Sequence, residues 1–206
     1  MKPIHQSLLT LAAALLLALL TGCASSAHPF YTPQDVKFDP TLLGSWTPVE
    51  AATEPAPDCP IWKCESAENG SYLVTIGKPS VPEEVEEFKA HLFEIHGKKY
   101  IDAVLTRKGS RVFTMFGESG SSIQTHRLLK VAKIHPRLLL QQLNDGWLRK
   151  VASDTKNSIP HLPATPSAHD PIVLTGTTEE LQTLILKAEN EGAFGKDPEG
   201  ILLQHP

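Results

Sequence analysis

Apolar residues recur along this chain in three rhythms. An apolar run, Leu8 to Leu20, comes first. Residues 24–40 follow with Ser, Ala, Pro and His and no apolar period, the pattern of a tether. From residue 41 the period is two, as a half-buried strand requires. It predicts strands over 41–47 and 71–78, the latter with Tyr72, Val74 and Ile76 on one face after an Asn69-Gly70 turn. A Pro-rich loop, 48–69, separates the two. Glu83, Glu84, Glu86 and Glu87 read as a solvated acidic face. Phe88, Ala90 and Leu92 then alternate, and the slip at Glu94-Ile95 predicts a bulge or the start of a turn. The chain turns at His96-Gly97-Lys98, returns over 100–106, and continues as a strand over 111–116 and a flexible turn over 117–122. Residues 125–134 and 137–143 form a further pair about His135-Pro136.

The last part of the chain changes to a helical period. Asn144 caps a short helix carrying Trp147, Leu148 and Val151. Residues 154–171 are a linker with four prolines, and 172–175 is a short strand. Thr177-Thr178-Glu179-Glu180 is a capping box opening a helix to about Asn190. Its Leu181, Leu184, Ile185 and Ala188 fall at i, i+3, i+4 and i+7, one stripe facing a core. Short strands followed by late helices predict an α+β fold: an antiparallel β-sheet or partial barrel with C-terminal helices.

The apolar run at the start is shorter than the roughly 20 residues that span a bilayer as a helix. Lys2 precedes it and Leu20-Thr21-Gly22-Cys23 closes it, the order of a secretory signal. That ending resembles the lipobox of bacterial lipoproteins. The resemblance implies cleavage before Cys23, lipid on its sulfur and new amino group, and up to three acyl chains, enough for stable anchoring. Ala24, where an Asp would favour retention in the inner membrane, implies the outer membrane, facing the periplasm. The expected organisation is a cleaved signal peptide, 1–22, a lipidated tether, 23–40, and one globular domain, 41–206. Leu43-Gly44-Ser45-Trp46 further resembles the first-strand Gly-x-Trp of lipocalins, where the Trp closes the barrel floor. The region after the signal is similar to sparsely described lipoproteins with a lipocalin-like sheet, a similarity that implies no activity.

Composition narrows the chemistry. Loss of Lys2 takes the net charge from −4 to −5, which does not suit a nucleic-acid partner. Cys59 and Cys64 in an oxidising compartment predict a disulfide staple over a short loop. Four residues between them are too many for a thioredoxin-type redox pair, and no zinc ligands lie nearby. Gly117-Glu118-Ser119-Gly120 lacks the spacing and the following helix of a hydrolase nucleophile elbow. His91 and His96 face opposite ways on a regular strand, and His161, His169 and Asp170 sit in the Pro-rich linker, so no metal or cofactor is expected.

Charge is segregated. Residues 98–150 hold eleven Lys/Arg against three acids. Lys98, Lys99, Arg107, Lys108 and Arg111 form a candidate face for an anionic envelope partner, with Arg127, Lys130, Lys133 and Arg137 further on; cross-strand pairing with acidic strands is the plainer account. The function expected from these features is non-enzymatic: a membrane-anchored lipoprotein whose apolar interior takes a small lipophilic ligand. The alternatives are an envelope scaffold that uses its basic face, or an unrecognised hydrolase.

Overall fold

A computed structural model describes residues 24–49, 59–107, 124–154, 158–162, 172–195 and 200–206. In chain order its strands are β1 (Ser25–Ser26), β2 (Val36–Lys37), β3 (Gly44–Pro48), β4 (Ile61–Ser66), β5 (Tyr72–Lys78), β6 (Val81–Ile95), β7 (Lys98–Arg107), β8 (His126–Lys133), β9 (Leu138–Gln141), β10 (His161–Leu162), β11 (Val173–Leu174) and β12 (Ile201–Gln204). Helix α1 (Asp145–Ala152) lies between β9 and β10, and α2 (Thr178–Asn190) between β11 and β12.

The expected sheet closes fully. Eight antiparallel strands run β3-β4-β5-β6-β7-β8-β9-β12 and return to β3. Closure rests on β12, which pairs with β9 on one side and β3 on the other. A Cβ at Gly200, just before β12, would run into the Leu140 carbonyl, so only glycine lets the two backbones approach so closely. Antiparallel closure removes the sheet edges that would otherwise seek partners.

Strand alternation sorts the side chains into two cores. Trp46, Trp62, Tyr72, Ile76, Phe88, Ala90, Leu92, Ala103, Leu129, Val131 and Leu140 fill the barrel. The opposite faces of β6, β7 and β8 carry Phe93, Ile95, Tyr100 and Leu128, and these pack against α1, α2 and the N-terminal segment. This second cover explains the slip read at Glu94-Ile95. The register of β6 with β7 runs unbroken from Phe88 to Ile95, and apolar residues stand on both faces because both are buried. The bulge lies instead between Glu87 and Phe88. Glu86, read as part of a solvated face, is buried instead: β6 extends back to pair with β5 and sets Glu86 opposite Ile76.

A 3-10 turn over Pro40–Leu42 leads into β3, and its Leu42 is buried in the barrel core. Trp46 in the first barrel strand is buried, and its indole N–H donates to the Leu42 carbonyl at 3.0 Å. The Gly-x-Trp signal therefore falls in the first strand of a barrel that is lipocalin-like in shape.

Residues 24–40 are not a tether. Ser25 and Ser26 form a two-residue strand between β8 and β11, and Val36 and Lys37 pair with Phe93 and Leu92 of β6. Ala24 and Phe30 are fully buried. The segment lacks apolar period because its order comes from distant partners: Leu128 N–H donates to the Ala24 carbonyl at 3.1 Å, and Ala27 N–H to the Leu174 carbonyl at 2.8 Å.

The helices follow local signals. Asn144 Oδ1 accepts from Trp147 N–H at 2.8 Å, and Thr177 and Glu180 form the reciprocal capping box. Leu181, Leu184, Ile185 and Ala188 are all buried. The predicted strand over 111–116 and the turn over 117–122 lie outside the described residues.

Candidate functional site

The barrel interior is walled by apolar groups, among them Trp46, Trp62, Tyr72, Phe88, Leu129 and Leu140. A closed barrel of this kind is compatible with ligand binding. The unfilled space measures about 60 Å³. Small-molecule sites run to roughly 300–1,000 Å³. In this conformation the interior is a packed core. Cys64 projects into it, and burial together with the neighbouring Glu65 charge pushes its thiol up to about 12.

The expected Cys59–Cys64 staple is not formed. Cys64 lies inside β4 while Cys59 precedes the strand. Ile61 and Cys64 are three strand residues apart, about 10 Å at the usual rise, and a disulfide needs Cα atoms within about 7 Å. Cys64 is built into the barrel wall as a free thiol, and Cys59 stays outside the strand.

Two of the predicted anion-facing lysines are committed to carboxylates. Lys98 Nζ contacts Glu189 Oε2 at 2.6 Å, and Lys99 Nζ contacts Asp39 Oδ2 at 2.9 Å. Lys130 and the Tyr100 hydroxyl reach the same Glu189. Burial alone would raise the Glu189 pKa, but its bonds from Lys98, Lys130 and Tyr100 bring it below the usual value. Asp39 is held at about 2 by the Thr41 hydroxyl, then by Lys99. These pairs fasten α2 and the N-terminal segment to the sheet. Arg107 ends β7, its side chain outside the described part, and Cys23, Lys108 and Arg111 lie outside the described residues.

A polar cluster that the sequence reading missed lies under the N-terminal segment. Asp102, fully buried on the outer face of β7, accepts from Phe30 N–H at 2.9 Å and from His126 Nδ1 at 2.8 Å. The carboxylate thus fixes the proton of that ring on Nδ1. His91, opposite Asp102 in the register, shares a 2.9 Å hydrogen bond with the Tyr31 hydroxyl. Burial, then the nearby Lys89, lowers the His91 pKa; burial, then the Asp102 charge, raises Tyr31 to about 12. A His–Asp pair is the base-and-orienter half of a hydrolytic triad. Ser26 stands opposite His126, but its hydroxyl is spent on the Leu174 carbonyl and on His28 N–H. Among the described residues no group of three His, Cys, Asp or Glu is placed to hold a metal; His91 and His96 do not converge, and His169 and Asp170 lie outside them.

A second concavity lies on the outside, where β9 and β12 meet the β8–β9 corner. It is an open cleft of about 630 Å³ lined by Lys133, Pro136, Arg137, Leu139, Leu202, Gln204 and His205. Leu139 and Leu202 sit opposite each other in the ladder and form an apolar floor. Lys133 and Arg137 are exposed, and no carboxylate pairs with either among the described residues. His205 lies against Trp46 with the rings tilted and centroids 3.8 Å apart, and its Nδ1 donates to the Ser45 carbonyl at 3.0 Å. The basic block visible in the sequence contains Lys133 and Arg137. Only the β9–β12 pairing adds the C-terminal residues to them.

No family model, no curated protein and no solved structure matches the chain. The architecture itself defines the class: a closed eight-stranded antiparallel barrel, lipocalin-like in shape, with helices α1 and α2 among the described residues.

Proposed function

We propose that the chain is a non-enzymatic lipoprotein, anchored through lipid on Cys23 in the outer membrane and facing the periplasm, that binds a small lipophilic ligand carrying an anionic group. The carrying observation is the outer cleft, where two cations without carboxylate partners among the described residues border an apolar floor. The ligand's tail lies along Leu139 and Leu202, and its phosphate or carboxylate meets Lys133 and Arg137. Arg137 supplies a planar fork for such a group, and Lys133 a point charge. The cleft's volume falls within the range of small-molecule sites. The interior, with about a tenth of that space, serves as the core.

Calorimetry with decyl phosphate and decanol, on a chain begun at Ala24, tests the site. Decyl phosphate should bind and decanol should bind far more weakly. Lys133→Ala with Arg137→Ala should lose two charge-assisted contacts and weaken decyl phosphate binding by at least about tenfold. Equal binding of the two ligands, or an unchanged double variant, would overturn the site. Metabolic labelling with a palmitate analogue tests the anchor. Cys23→Ala should lose label and Cys59→Ala should keep it; label persisting on Cys23→Ala overturns the anchoring.

A further inference from the structure

We infer that the anchored domain stands flush on the bilayer along its β1–β11–β10 flank, with Leu162 in the headgroup layer. This rests on the lipidation of Cys23 proposed above. Ala24, the next residue, is fully buried, and its carbonyl accepts from Leu128 N–H in β8. Ser25 and Ser26 are then laddered to β8 on one side and β11 on the other. Consecutive Cα atoms are about 3.8 Å apart, so a lipid-bearing Cys23 leaves no spacer between membrane and fold. The headgroup layer is only about 5–8 Å deep on each side. A domain tied this closely must press the surface around Ala24 against it.

That surface has a recognisable apolar contact. Ser25 is opposite Val173, and Val173 is opposite Leu162. Two strand spacings place Leu162 about 10 Å from Ser25. β10 runs antiparallel to β11, so Leu162 rather than His161 lies toward the Cys23 end of the ladder. Leu162 is 47% exposed, the most open of the large apolar residues described. The bilayer is the occupant because the chain leaves the fold at this flank, one residue from its lipid. On β4, four strands from β8 either way round the barrel, Ile61 is also exposed and marks the opposite side.

The test uses the full-length lipidated protein, purified from envelope membranes and reconstituted into phosphatidylethanolamine–phosphatidylglycerol vesicles containing a shallow doxyl-lipid quencher. An environment-sensitive fluorescent amino acid replaces Leu162 or, in a second variant, Ile61. Position 162 should be strongly quenched and position 61 should not. A twelve-residue Gly/Ser spacer inserted between Cys23 and Ala24, with a root-mean-square length of roughly 20 Å, should abolish the quenching at 162. Equal quenching at the two positions, or no effect of the spacer, overturns the inference while vesicle flotation and palmitate label leave anchoring intact. Loss of flotation and label together overturns the anchoring reading, and this inference with it.

Discussion

Replacing Asp102 by Ala should loosen the N-terminal segment more than any exposed substitution near it. The carboxylate has no exposed surface and serves two donors, Phe30 N–H at 2.9 Å and His126 Nδ1 at 2.8 Å. Phe30 is itself fully buried, so its amide finds no water in exchange, a loss of about 1–3 kcal/mol. The His126 side chain keeps 21% exposure and can turn to solvent, so its bond contributes nearer 1 kcal/mol. The expected total is about 2–4 kcal/mol, a large part of the 5–15 kcal/mol that holds a typical domain. At a urea slope of about 2 kcal/mol/M this lowers the midpoint by roughly 1–2 M. Asp102→Asn keeps one acceptor oxygen and should cost about half as much. The assay is urea unfolding by circular dichroism on a chain begun at Ala24, with amide exchange read at Phe30. An unchanged midpoint together with continued protection of the Phe30 amide would refute the reasoning, and would mean that apolar packing alone holds the segment.

Leu184→Ala should cost about 2–5 kcal/mol in the same urea assay and Thr177→Ala about 1 kcal/mol, the first opening a hole under α2 and the second removing its cap; an unaltered midpoint for Leu184→Ala would mean that the helix is not docked. In the native protein at pH 8, Cys64 should resist thiol reagents until urea is added, because burial and Glu65 push its thiol up to about 12; labelling at the rate of half-exposed Cys59 would contradict this. His91, whose folded pKa lies below the ordinary 6.5, leaves the unfolded chain binding the extra proton. Its contribution is full above about pH 6.5 and declines as pH falls through the lowered folded value. His91→Gln, which can still accept from Tyr31, should flatten that part of the stability–pH curve, and an identical curve would remove His91 as the cause.

What could be read from the sequence was what neighbours dictate. The capping box at Thr177 and Glu180, the apolar stripe of α2, the His96-Gly97 corner and the Asn144 cap all depend on residues within a turn or two of each other. Gly44-x-Trp46 carried longer-range information only through its resemblance to the first strand of lipocalins. Closure was not legible: Ile201–Gln204 is four residues with no alternation to announce it, and its value lies in joining β9 to β3. Residues 24–40 were misread for the same reason, since Phe30 finds its partner 72 positions away in Asp102. Lys98 and Lys99 looked like an exposed basic face because Glu189 and Asp39, which neutralise them, lie 91 and 60 positions off. Lys133 and Arg137 could be read as basic, but not as neighbours of Leu202 and His205.

β6 is a party wall. Ala90 and Leu92 look into the barrel while Phe93 and Ile95 look out toward the helices, so one strand's phase serves two cores at once. A single residue inserted or deleted between Phe88 and Phe93 would turn the rest of the strand over and exchange the two sets together. Neither core could then repair itself, since each would receive side chains shaped for the other. In descendants of this chain, length should therefore drift in the loops, while the residue count from Phe88 to Ile95 stays locked.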